Sequence, residues 1–285
     1  MDETIAILTD TNSGITPDQA ARYGIYLVSM PVIIDEETYF ENESISQDEF
    51  FQRLREGACV STSQPAPGVL MDCWEGLLER YEEIVYLPMS SGLSGGCQTA
   101  AMLAAEYGGS VHVVDNHRIS VTLRQSVLEA KHLASQGKTA QEIAAYLEQD
   151  GLEASIYVAV NTLEYLKKSG RVTAAGAAIG TILNIKPVLQ IQGGKLDAYK
   201  KARGMSAAMQ SMIDGLKQDQ VGRFAGQKLT IRAAYSGDAE AGAAWQAELQ
   251  KAFPEMTIGL DPLPISICCH TGEGALGVGM MKDIF

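Results

Sequence analysis

Short apolar segments alternate with capped helical patterns through the first half of the chain. The segment TIAILTD predicts a β-strand, and Thr16 and Gln19 form a capping box with Pro17 at the first helical position and Gly24 as the stop. IYLVSMPVII predicts a second strand, and Ser46 caps another helix. EEIVYLPM and SVHVVDN predict strands on either side of the helix CQTAAMLAAEY. This alternation predicts βαβ units, and hence an N-terminal α/β domain with a parallel sheet.

The pattern changes in the second half. Thr139 caps a helix that runs to Gln149, and ASIYVAV then predicts a strand. PVLQIQGGKLDAYKKAR predicts two strands joined at Gly193 and Gly194, and KLTIRAAYSGD and MTIGLDP add strands around the helix AEAGAAWQAELQKAF. Hairpins mixed with helices predict a C-terminal α+β domain with a largely antiparallel sheet. The boundary is placed near Gly151, giving domains 1–151 and 152–285.

Composition and charge exclude several classes of protein. With 285 residues, 46% of them hydrophobic, the chain can bury a large core, and no apolar run is long enough for stable membrane insertion. The net charge of −13 disfavours nucleic acid as a partner. MDETIAILTD lacks the pattern of a signal peptide, and five cysteines without C-x-x-C spacing suggest free thiols and no metal site. A cytoplasmic location is expected.

The loop STSQPAP, residues 61–67, combines hydroxyls with two prolines ahead of a helical segment. Pro65 and Pro67 fix their backbone dihedrals and remove two donors, so we expect a stiff loop. Two interpretations stay open for its hydroxyls, because they either cap the following helix or contribute to a binding site.

A second hydroxyl-rich loop, SSGLSGG, lies between a predicted strand and a predicted helix. Gly92 to Gly96 satisfies G-x-S-x-G, the strand-turn-helix elbow that carries the nucleophile of serine hydrolases, here Ser94. The motif is short, and the same loop suits anion binding by hydroxyls and backbone N–H groups at a helix start. Simple capping of the helix is the third interpretation.

The C-terminal segment CCHTGEGALGVGMM contains His270 and matches G-x-G-x-x-G at Gly272, Gly274 and Gly277. A dinucleotide site is not indicated, because that fingerprint opens a βαβ unit and here the chain ends first. The glycines instead favour close approach of a ligand or another strand. His270 is one of four histidines, and its position before a turn is only weak support for a functional role.

Residue patterns alone therefore leave two hypotheses, a hydrolase and an anion-binding receptor. As a serine esterase, the protein would use Ser94 as nucleophile and His270 as base, in the chain order of α/β-hydrolases. An HGGG-type oxyanion segment is not evident, although Asp238 or Asp261 could supply the acid.

Six motifs occur in the order seen in the DegV family, which the chain resembles over essentially its whole length. They are TDTNSG (9–14), TSQPAP (62–67), SSGLSGG (90–96), LKKSGR (166–171), IKPVLQIQGGKL (185–196) followed by KKAR, and HTGEGALG (270–277). Six motifs in order are specific where one short motif is not.

The resemblance implies two α/β domains that hold one long-chain fatty acid in the cleft between them, with no cofactor and no turnover of their own. In the better understood branch of the family, the protein presents the acid to a separate fatty acid kinase, which makes the acyl phosphate for phospholipid synthesis. By the resemblance, the carboxylate ligands fall on Thr62, Ser94 and His270. Arg203 matches a basic position linked to kinase docking.

Three positions depart from the family pattern, which commonly has Ser at Ala66, Thr at Gly96 and Gly at Ser169. None of these removes a carboxylate ligand.

The small and branched apolar residues of RVTAAGAAIGTILNIKPVL either help to line the tail pocket or simply pack against the sheet. A protonated His270 would make affinity fall as the pH rises through its pKa.

Overall fold

The computed structural model describes residues 4–179 and 184–285. The strands, in chain order, are β1 (Ile5–Asp10), β2 (Ile25–Val28), β3 (Pro31–Ile34), β4 (Glu37–Phe40), β5 (Val60–Thr62), β6 (Glu83–Leu87), β7 (Val111–Val113), β8 (Ala154–Ala159), β9 (Ile185–Ile191), β10 (Asp197–Arg203), β11 (Leu229–Tyr235), β12 (Ile258–Pro262) and β13 (Leu276–Lys282). The α-helices are α1 (Pro17–Tyr23), α2 (Gln47–Arg55), α3 (Pro67–Leu78), α4 (Gly96–Ala104), α5 (Ser120–Ser135), α6 (Ala140–Asp150), α7 (Glu164–Ser169), α8 (Ala174–Ala177), α9 (Gly204–Val221), α10 (Ala239–Ala252) and α11 (Ile265–Thr271). Two 3-10 turns cover Thr11–Ser13 and Ala105–Tyr107.

The first half contains the predicted parallel sheet, in the strand order β2-β1-β6-β7. Every residue of β1 is buried, because helices cover both faces of the sheet. Ile5 and Ile7 pack toward α1, α5 and α6, whereas Ala6 and Leu8 pack toward α3 and α4 around Trp74. Because β1 and β6 pair in parallel, their carboxyl ends lie at one edge of the sheet, where the loops after them meet.

The prediction of a single strand for IYLVSMPVII is wrong. The chain ends its pairing with β1 at Val28 and begins β3 at Pro31, in a separate antiparallel sheet of order β4-β3-β5. Pro31 has no N–H to continue a ladder, and the N–H of Met30 is donated to the hydroxyl of Thr11 instead. This small sheet was not predicted, and its strand β5 carries Thr62.

The second half contains the predicted largely antiparallel sheet, in the order β10-β9-β8-β13-β11-β12. The hairpin of β9 and β10 is confirmed. The strands β11 and β12 pair in parallel, and the other four strand pairs of this sheet are antiparallel. One face packs on α9 and α10 around Trp245. The opposite face carries Ile156, Val158 and Ala234 toward the interior of the molecule.

The glycines near the C-terminus do allow close approach of backbone. Gly272 and Gly274 have positive φ in the turn between α11 and β13. Gly277 and Gly279 lie in β13, a strand that was not predicted, and a Cβ on Gly279 would lie 2.8 Å from side-chain atoms of Val121 and Thr122 in α5. A dinucleotide-binding turn is excluded here, because these glycines lead into an antiparallel strand and not into a helix.

Helix α5 packs against β1 and β6 of the parallel sheet and also against β11 and β13 of the larger sheet. The buried Arg118, just before this helix, donates to the Asp150 carboxylate at 2.7 Å and to the Gly151 carbonyl at 3.1 Å. The domain boundary at Gly151 stays a prediction; it falls between α6 and β8. The segment RVTAAGAAIGTILNIKPVL lies partly outside the described residues, at 180–183.

Candidate functional site

Thr62 is the last residue of β5, opposite Val32 of β3. The four residues that follow have no regular structure, and α3 begins at Pro67 with Ala66 as an N-cap that makes no side-chain hydrogen bond. The interpretation of the hydroxyls in this loop as helix caps is therefore wrong. Thr62 is left half-buried, with its hydroxyl available for the interior of the molecule.

His270 is positioned by α11, a short helix with six buried residues. The helix ends at Gly272, whose φ of 72° is favourable only for glycine, and whose N–H is donated to the carbonyl of Cys268. Six of the seven residues of this helix are buried, so its packing fixes the direction of the imidazole.

The Thr62 hydroxyl and the His270 Nε2 lie 2.9 Å apart. Burial, and secondarily the positive charge of Arg171, lowers the pKa of His270 to about 4, so the imidazole is neutral at physiological pH. If Nε2 carries the proton, it donates to Thr62 Oγ1 and leaves the threonine hydroxyl hydrogen free for a further acceptor. The interpretation of His270 as a protonated ligand is therefore not favoured.

The loop SSGLSGG is held by hydrogen bonds to distant segments. Ser90 donates from Oγ to the Gly193 carbonyl at 3.2 Å, which brings the β9–β10 hairpin against the loop. Gly92 is required by this contact, because a Cβ there would lie 2.6 Å from the same carbonyl oxygen. Ser94 Oγ accepts from the N–H of Gly96 at 3.1 Å. Ser94 thus accepts from the first N–H of α4, whose N-cap is Gly95, and it also lines an interior cavity.

Arg171 is a site residue that sequence reasoning missed, although it ends the motif LKKSGR. Its Nη1 donates to the Ser169 carbonyl at 2.6 Å and its Nε to the Leu93 carbonyl at 3.4 Å. Within residues 4–179 and 184–285, no carboxylate lies within 4.0 Å of the guanidinium. A cation without a carboxylate partner is suited to an anion, and its motif was the only signal that could have identified it.

These residues line one interior space, which we term the main cavity. Its polar lining includes Thr62, Ser94, Arg171 and His270. Its apolar lining comes mainly from the large sheet and from the residues that precede and begin α5: Ile119, Val121, Ile156, Val158, Ile191 and Ala234. A cavity of this kind can hold an amphipathic anion, with the charged group near the donors and the apolar part against the sheet.

Small residues of the large sheet create part of the volume of the main cavity. Gly277 of β13 lies between Val158 of β8 and Ala234 of β11 in the strand register, so all three face the cavity. A Cβ at Gly277 would meet only ordinary contacts, with Ala234 Cβ at 3.7 Å and Val158 Cγ2 at 3.9 Å. The missing side chain is therefore empty volume inside the cavity wall.

Glu41 is a second residue that sequence reasoning missed, and nothing in the sequence marks it. It is buried after β4, accepts hydrogen bonds from the hydroxyls of Thr11 at 2.9 Å and Ser266 at 2.8 Å, and accepts from the N–H of Ile265 at the start of α11. Burial raises the pKa of Glu41 to about 7. Ser266 also lines the main cavity, so Glu41 connects the small sheet to the helix that carries His270.

The geometry does not favour the esterase hypothesis. His270 is hydrogen-bonded to Thr62 and not to Ser94, and its Nδ1 has no partner among the described residues. A base needs a hydrogen bond to the nucleophile and a third group to orient it. Of the two acids considered, Asp238 caps α10 by accepting from Ala241, and Asp261 pairs with Arg232 at 2.7 Å.

Arg203 lies away from these residues, exposed at the end of β10, and does not line the main cavity. All five cysteines are free, as predicted. Across the described part of the chain, no group of three or more His, Cys, Asp or Glu side chains is arranged to bind a metal ion. No helix in that part has the length and apolar character to cross a bilayer.

Comparisons with known proteins extend these observations. A sequence model described as "Uncharacterised protein, DegV family" matches residues 4–283. A DegV domain-containing protein of Deinococcus radiodurans is 32% identical over 279 residues, covering 97% of this chain and 98% of the relative.

Two solved structures are also similar to this chain. A DegV family protein from Thermus thermophilus, described as binding fatty acid, is 32% identical, with a TM-score of 0.89 over 98% of this chain and 100% of the other. DegV of Bacillus subtilis, described as a fatty acid binding protein, is 25% identical, with a TM-score of 0.87 over 99% and 100%.

Proposed function

This chain belongs to the DegV family, and from that premise we propose that it binds one long-chain fatty acid and presents the carboxylate to a separate fatty acid kinase. The tail lies in the main cavity, between the predicted domains 1–151 and 152–285. The carboxylate is held by Thr62, Ser94 and Arg171, with His270 acting through Thr62. The acyl phosphate made by the kinase serves phospholipid synthesis in the cytoplasm.

The observation that supports this proposal is the division of the cavity lining. Hydroxyls line the same space as the apolar face of a six-stranded sheet, together with Arg171, which has no carboxylate partner in the described part of the chain. A fatty acid matches both parts, since its carboxylate needs donors and its tail needs only removal from water. The fatty-acid binding described for the Thermus and Bacillus proteins agrees with this ligand class.

The two parts of the ligand make different contributions. Each methylene removed from water adds about 0.8 kcal/mol, so a long tail supplies most of the affinity. Each hydrogen bond to the carboxylate adds about 1.5–3 kcal/mol and fixes the orientation of the acid. With the Nε2–H tautomer, neutral His270 donates to Thr62 Oγ1, and the threonine hydroxyl hydrogen is then free to point toward the carboxylate.

Presentation to a kinase requires only that the carboxylate be reachable and ionised. One carboxylate oxygen attacks the terminal phosphorus of a nucleoside triphosphate held by the kinase. The bond from phosphorus to the bridging oxygen breaks, and the nucleoside diphosphate leaves with that electron pair. Among the described residues, no base is hydrogen-bonded to the Ser94 hydroxyl. The binding protein itself therefore supplies no nucleophile.

Mass spectrometry of the purified protein after organic extraction tests the proposal. About one equivalent of a long-chain fatty acid is expected per chain, and a fluorophosphonate probe should leave Ser94 unlabelled. Absence of any bound acid, together with failure to bind added stearic acid, would contradict the carrier function. Stoichiometric labelling of Ser94 would instead support the esterase.

A further inference from the structure

The motif TDTNSG, residues 9–14, borders the main cavity but has no part in the proposed carboxylate site. Strand β1 ends at Asp10, whose carboxylate accepts the backbone N–H of Asn12 at 3.0 Å, and the 3-10 turn Thr11–Ser13 ends at Gly14, which has a φ of 71°. This turn holds Asn12 at the carboxyl edge of the parallel sheet, where it is 1% exposed and lines the main cavity.

The side-chain amide of Asn12 is only partly hydrogen-bonded. Ser266 Oγ lies 2.8 Å from Asn12 Oδ1 and also 2.8 Å from Glu41 Oε2, so one hydroxyl hydrogen has two acceptors. Asn12 Nδ2, in contrast, has no hydrogen-bond partner among the described residues. A buried amide donor without a partner is unfavourable, because it has lost its hydrogen bonds to water and gained none in the protein.

Asp10 does not supply the missing acceptor. Burial raises the pKa of Asp10 to about 6, and the neighbouring Asn12 amide partly offsets this rise, but no hydrogen bond of adequate geometry joins the two side chains. An amide NH₂ group carries two hydrogens, so at least one of them remains available to a ligand even beside Asp10.

Asn12 and Ser266 form a polar pair that lies apart from the carboxylate ligands. Ser266 and His270 are four residues apart on α11, so their side chains share one face of the helix and are separated by about 6 Å along its axis. Met30 and Met89, whose N–H groups are donated to side chains of the TDTNSG motif, also line the main cavity. A polar pair bordered by apolar side chains is suited to one polar group on an otherwise apolar tail.

A hydroxyl group on the acyl chain matches this pair. The Asn12 amide N–H can only donate, whereas the Ser266 oxygen has lone pairs that can accept. A hydroxyl placed between the two accepts from Asn12 Nδ2 and donates to Ser266 Oγ, so both of its hydrogen-bonding functions are used. A ketone can only accept and a methylene can do neither, so the pair distinguishes a hydroxylated chain from a plain one.

We infer that Asn12 and Ser266 form a subsite for a hydroxyl group on the acyl chain, and that the acids bound by this protein include hydroxylated long-chain fatty acids. The inference rests on the proposed function, since the carboxylate and the tail must first occupy the main cavity. It adds a substrate class to that function, and it gives the TDTNSG motif a role in the choice of acid.

Displacement titrations with positional isomers test the inference. Stearic acid is compared with a series of hydroxystearic acids whose hydroxyl group lies at successive positions from the third carbon to the twelfth. On wild type, the isomer whose hydroxyl reaches the subsite should bind within about threefold of stearic acid. Isomers that bury the hydroxyl against apolar lining should bind about 5- to 150-fold more weakly, because that hydroxyl has no partner.

Two variants examine the subsite itself. Asn12→Leu removes the amide with little change in size, so the favoured isomer should lose at least about fivefold in affinity relative to stearic acid. Ser266→Ala should reduce the same ratio with Asn12 still present, so it tests the pair even where Asn12→Leu does not fold. Thr271→Val is the matched control and should leave the ratio unchanged. Thr271 is also buried and lines the main cavity, but its hydroxyl is donated within α11 to the Ile267 carbonyl at 3.4 Å.

Three outcomes would overturn the inference. The first is a wild type that binds all the isomers equally, or all of them much more weakly than stearic acid. The second is an isomer preference that neither Asn12→Leu nor Ser266→Ala alters. The third is an equal loss of stearic acid and the favoured isomer in Asn12→Leu, which would give Asn12 a role in holding the carboxylate or the fold. Failure of stearic acid to bind contradicts the proposed function separately, because that acid has no hydroxyl group to place in the subsite.

Discussion

Thr62 and His270, which are 208 positions apart in the chain, meet with 2.9 Å between the threonine hydroxyl and the imidazole Nε2. One residue ends a strand of the small antiparallel sheet, and the other lies on a short buried helix packed against that sheet. The contact makes the pair a single polar unit in the cavity wall. A substitution at either residue therefore also removes a hydrogen-bond partner of the other.

Replacement of Thr62 tests whether its hydroxyl donates to the carboxylate. Thr62→Val keeps the shape and removes the donor, so fatty-acid affinity should fall by about 1.5–3 kcal/mol, roughly 10- to 150-fold. Thr62→Ser keeps the hydroxyl and should retain most of the affinity. Titration calorimetry with stearic acid measures both. Equal affinities for wild type and Thr62→Val would show that the carboxylate lies elsewhere.

The neutral state of His270 makes a prediction about pH. Because its pKa lies near 4 in the unliganded protein, the imidazole stays uncharged above this value. The ratio of wild-type to His270→Ala affinity should therefore be constant from about pH 6.5 to about pH 8. Taking the ratio cancels the titration of the fatty acid itself. A ratio that falls steadily as the pH rises would show that bound carboxylate protonates His270.

Sequence patterns correctly predicted the elements that are stabilised by contacts between residues close in the chain. The capping box of Thr16 and Gln19 is present with both of its hydrogen bonds, and the Gly193–Gly194 signal gives the predicted hairpin. Helix α11 was not predicted, because a short run in which nearly every residue is buried has no periodicity to separate helix from strand.

The site was predictable only in part, for a different physical reason. The motifs and the family resemblance named Thr62, Ser94 and His270, and the structure places all three on one cavity. Their mutual geometry depends on how two sheets pack, which no local pattern encodes. Arg171 and Glu41 were missed because a single charged residue has no periodicity, and its value depends on partners that are distant in sequence.

Arg203 is predicted to affect the kinase and not the ligand. It is exposed at the end of β10, just before α9, and does not line the main cavity. Arg203→Ala should leave stearic acid affinity unchanged and weaken phosphorylation by a cognate kinase about tenfold, because a charge at the rim of an interface acts mainly on association.

Lys217→Ala is the matched control for Arg203→Ala. Lys217 is exposed near the other end of α9, about 20 Å along the helix. Kinase assays with purified, fatty-acid-loaded protein measure both variants. Loss of bound acid in Arg203→Ala would place Arg203 at the ligand, and equal kinase defects in the two variants would argue against a local docking site.

Glu41 makes a prediction about stability. Burial raises its pKa from 4.5 to about 7, so between these values the folded protein holds a proton that the unfolded chain releases. Stability therefore falls as the pH rises through this window. Glu41→Gln removes the titration, so from about pH 5 to about pH 8 the wild type should lose about 2–3 kcal/mol relative to the variant.

Denaturant unfolding at several pH values measures this difference for Glu41. The difference in unfolding free energy between wild type and Glu41→Gln reports on Glu41 alone. Other buried carboxylates, such as Asp10, whose pKa is raised to about 6, contribute equally to both proteins. Glu255→Gln, an exposed position, should run parallel to wild type. A constant difference between wild type and Glu41→Gln across the pH range would show that Glu41 is ionised throughout.

Alanine substitutions at Gly277 and Gly279 of β13 should differ in their effect on stability. Gly279 faces α5 so closely that Gly279→Ala should destabilise the protein by about 1–3 kcal/mol, as overpacking does, with its fatty-acid selectivity unchanged. Gly277 faces the main cavity with only ordinary contacts, so Gly277→Ala should leave the unfolding temperature close to wild type. Thermal unfolding of the two variants without ligand measures this contrast.

Filling the cavity at Gly277 should change which acids bind. Wild type should favour an acid by about 3 kcal/mol over one that is four methylenes shorter. Gly277→Val places two methyl groups in the space beside Ala234 and Val158, so it should weaken the long acid more than the short one and reduce this preference. Displacement titrations with both acids on wild type, Gly277→Ala and Gly277→Val measure the ratio. Because the hydroxyls and Arg171 are untouched, an equal loss for both acids would mean that the tail does not pass β13.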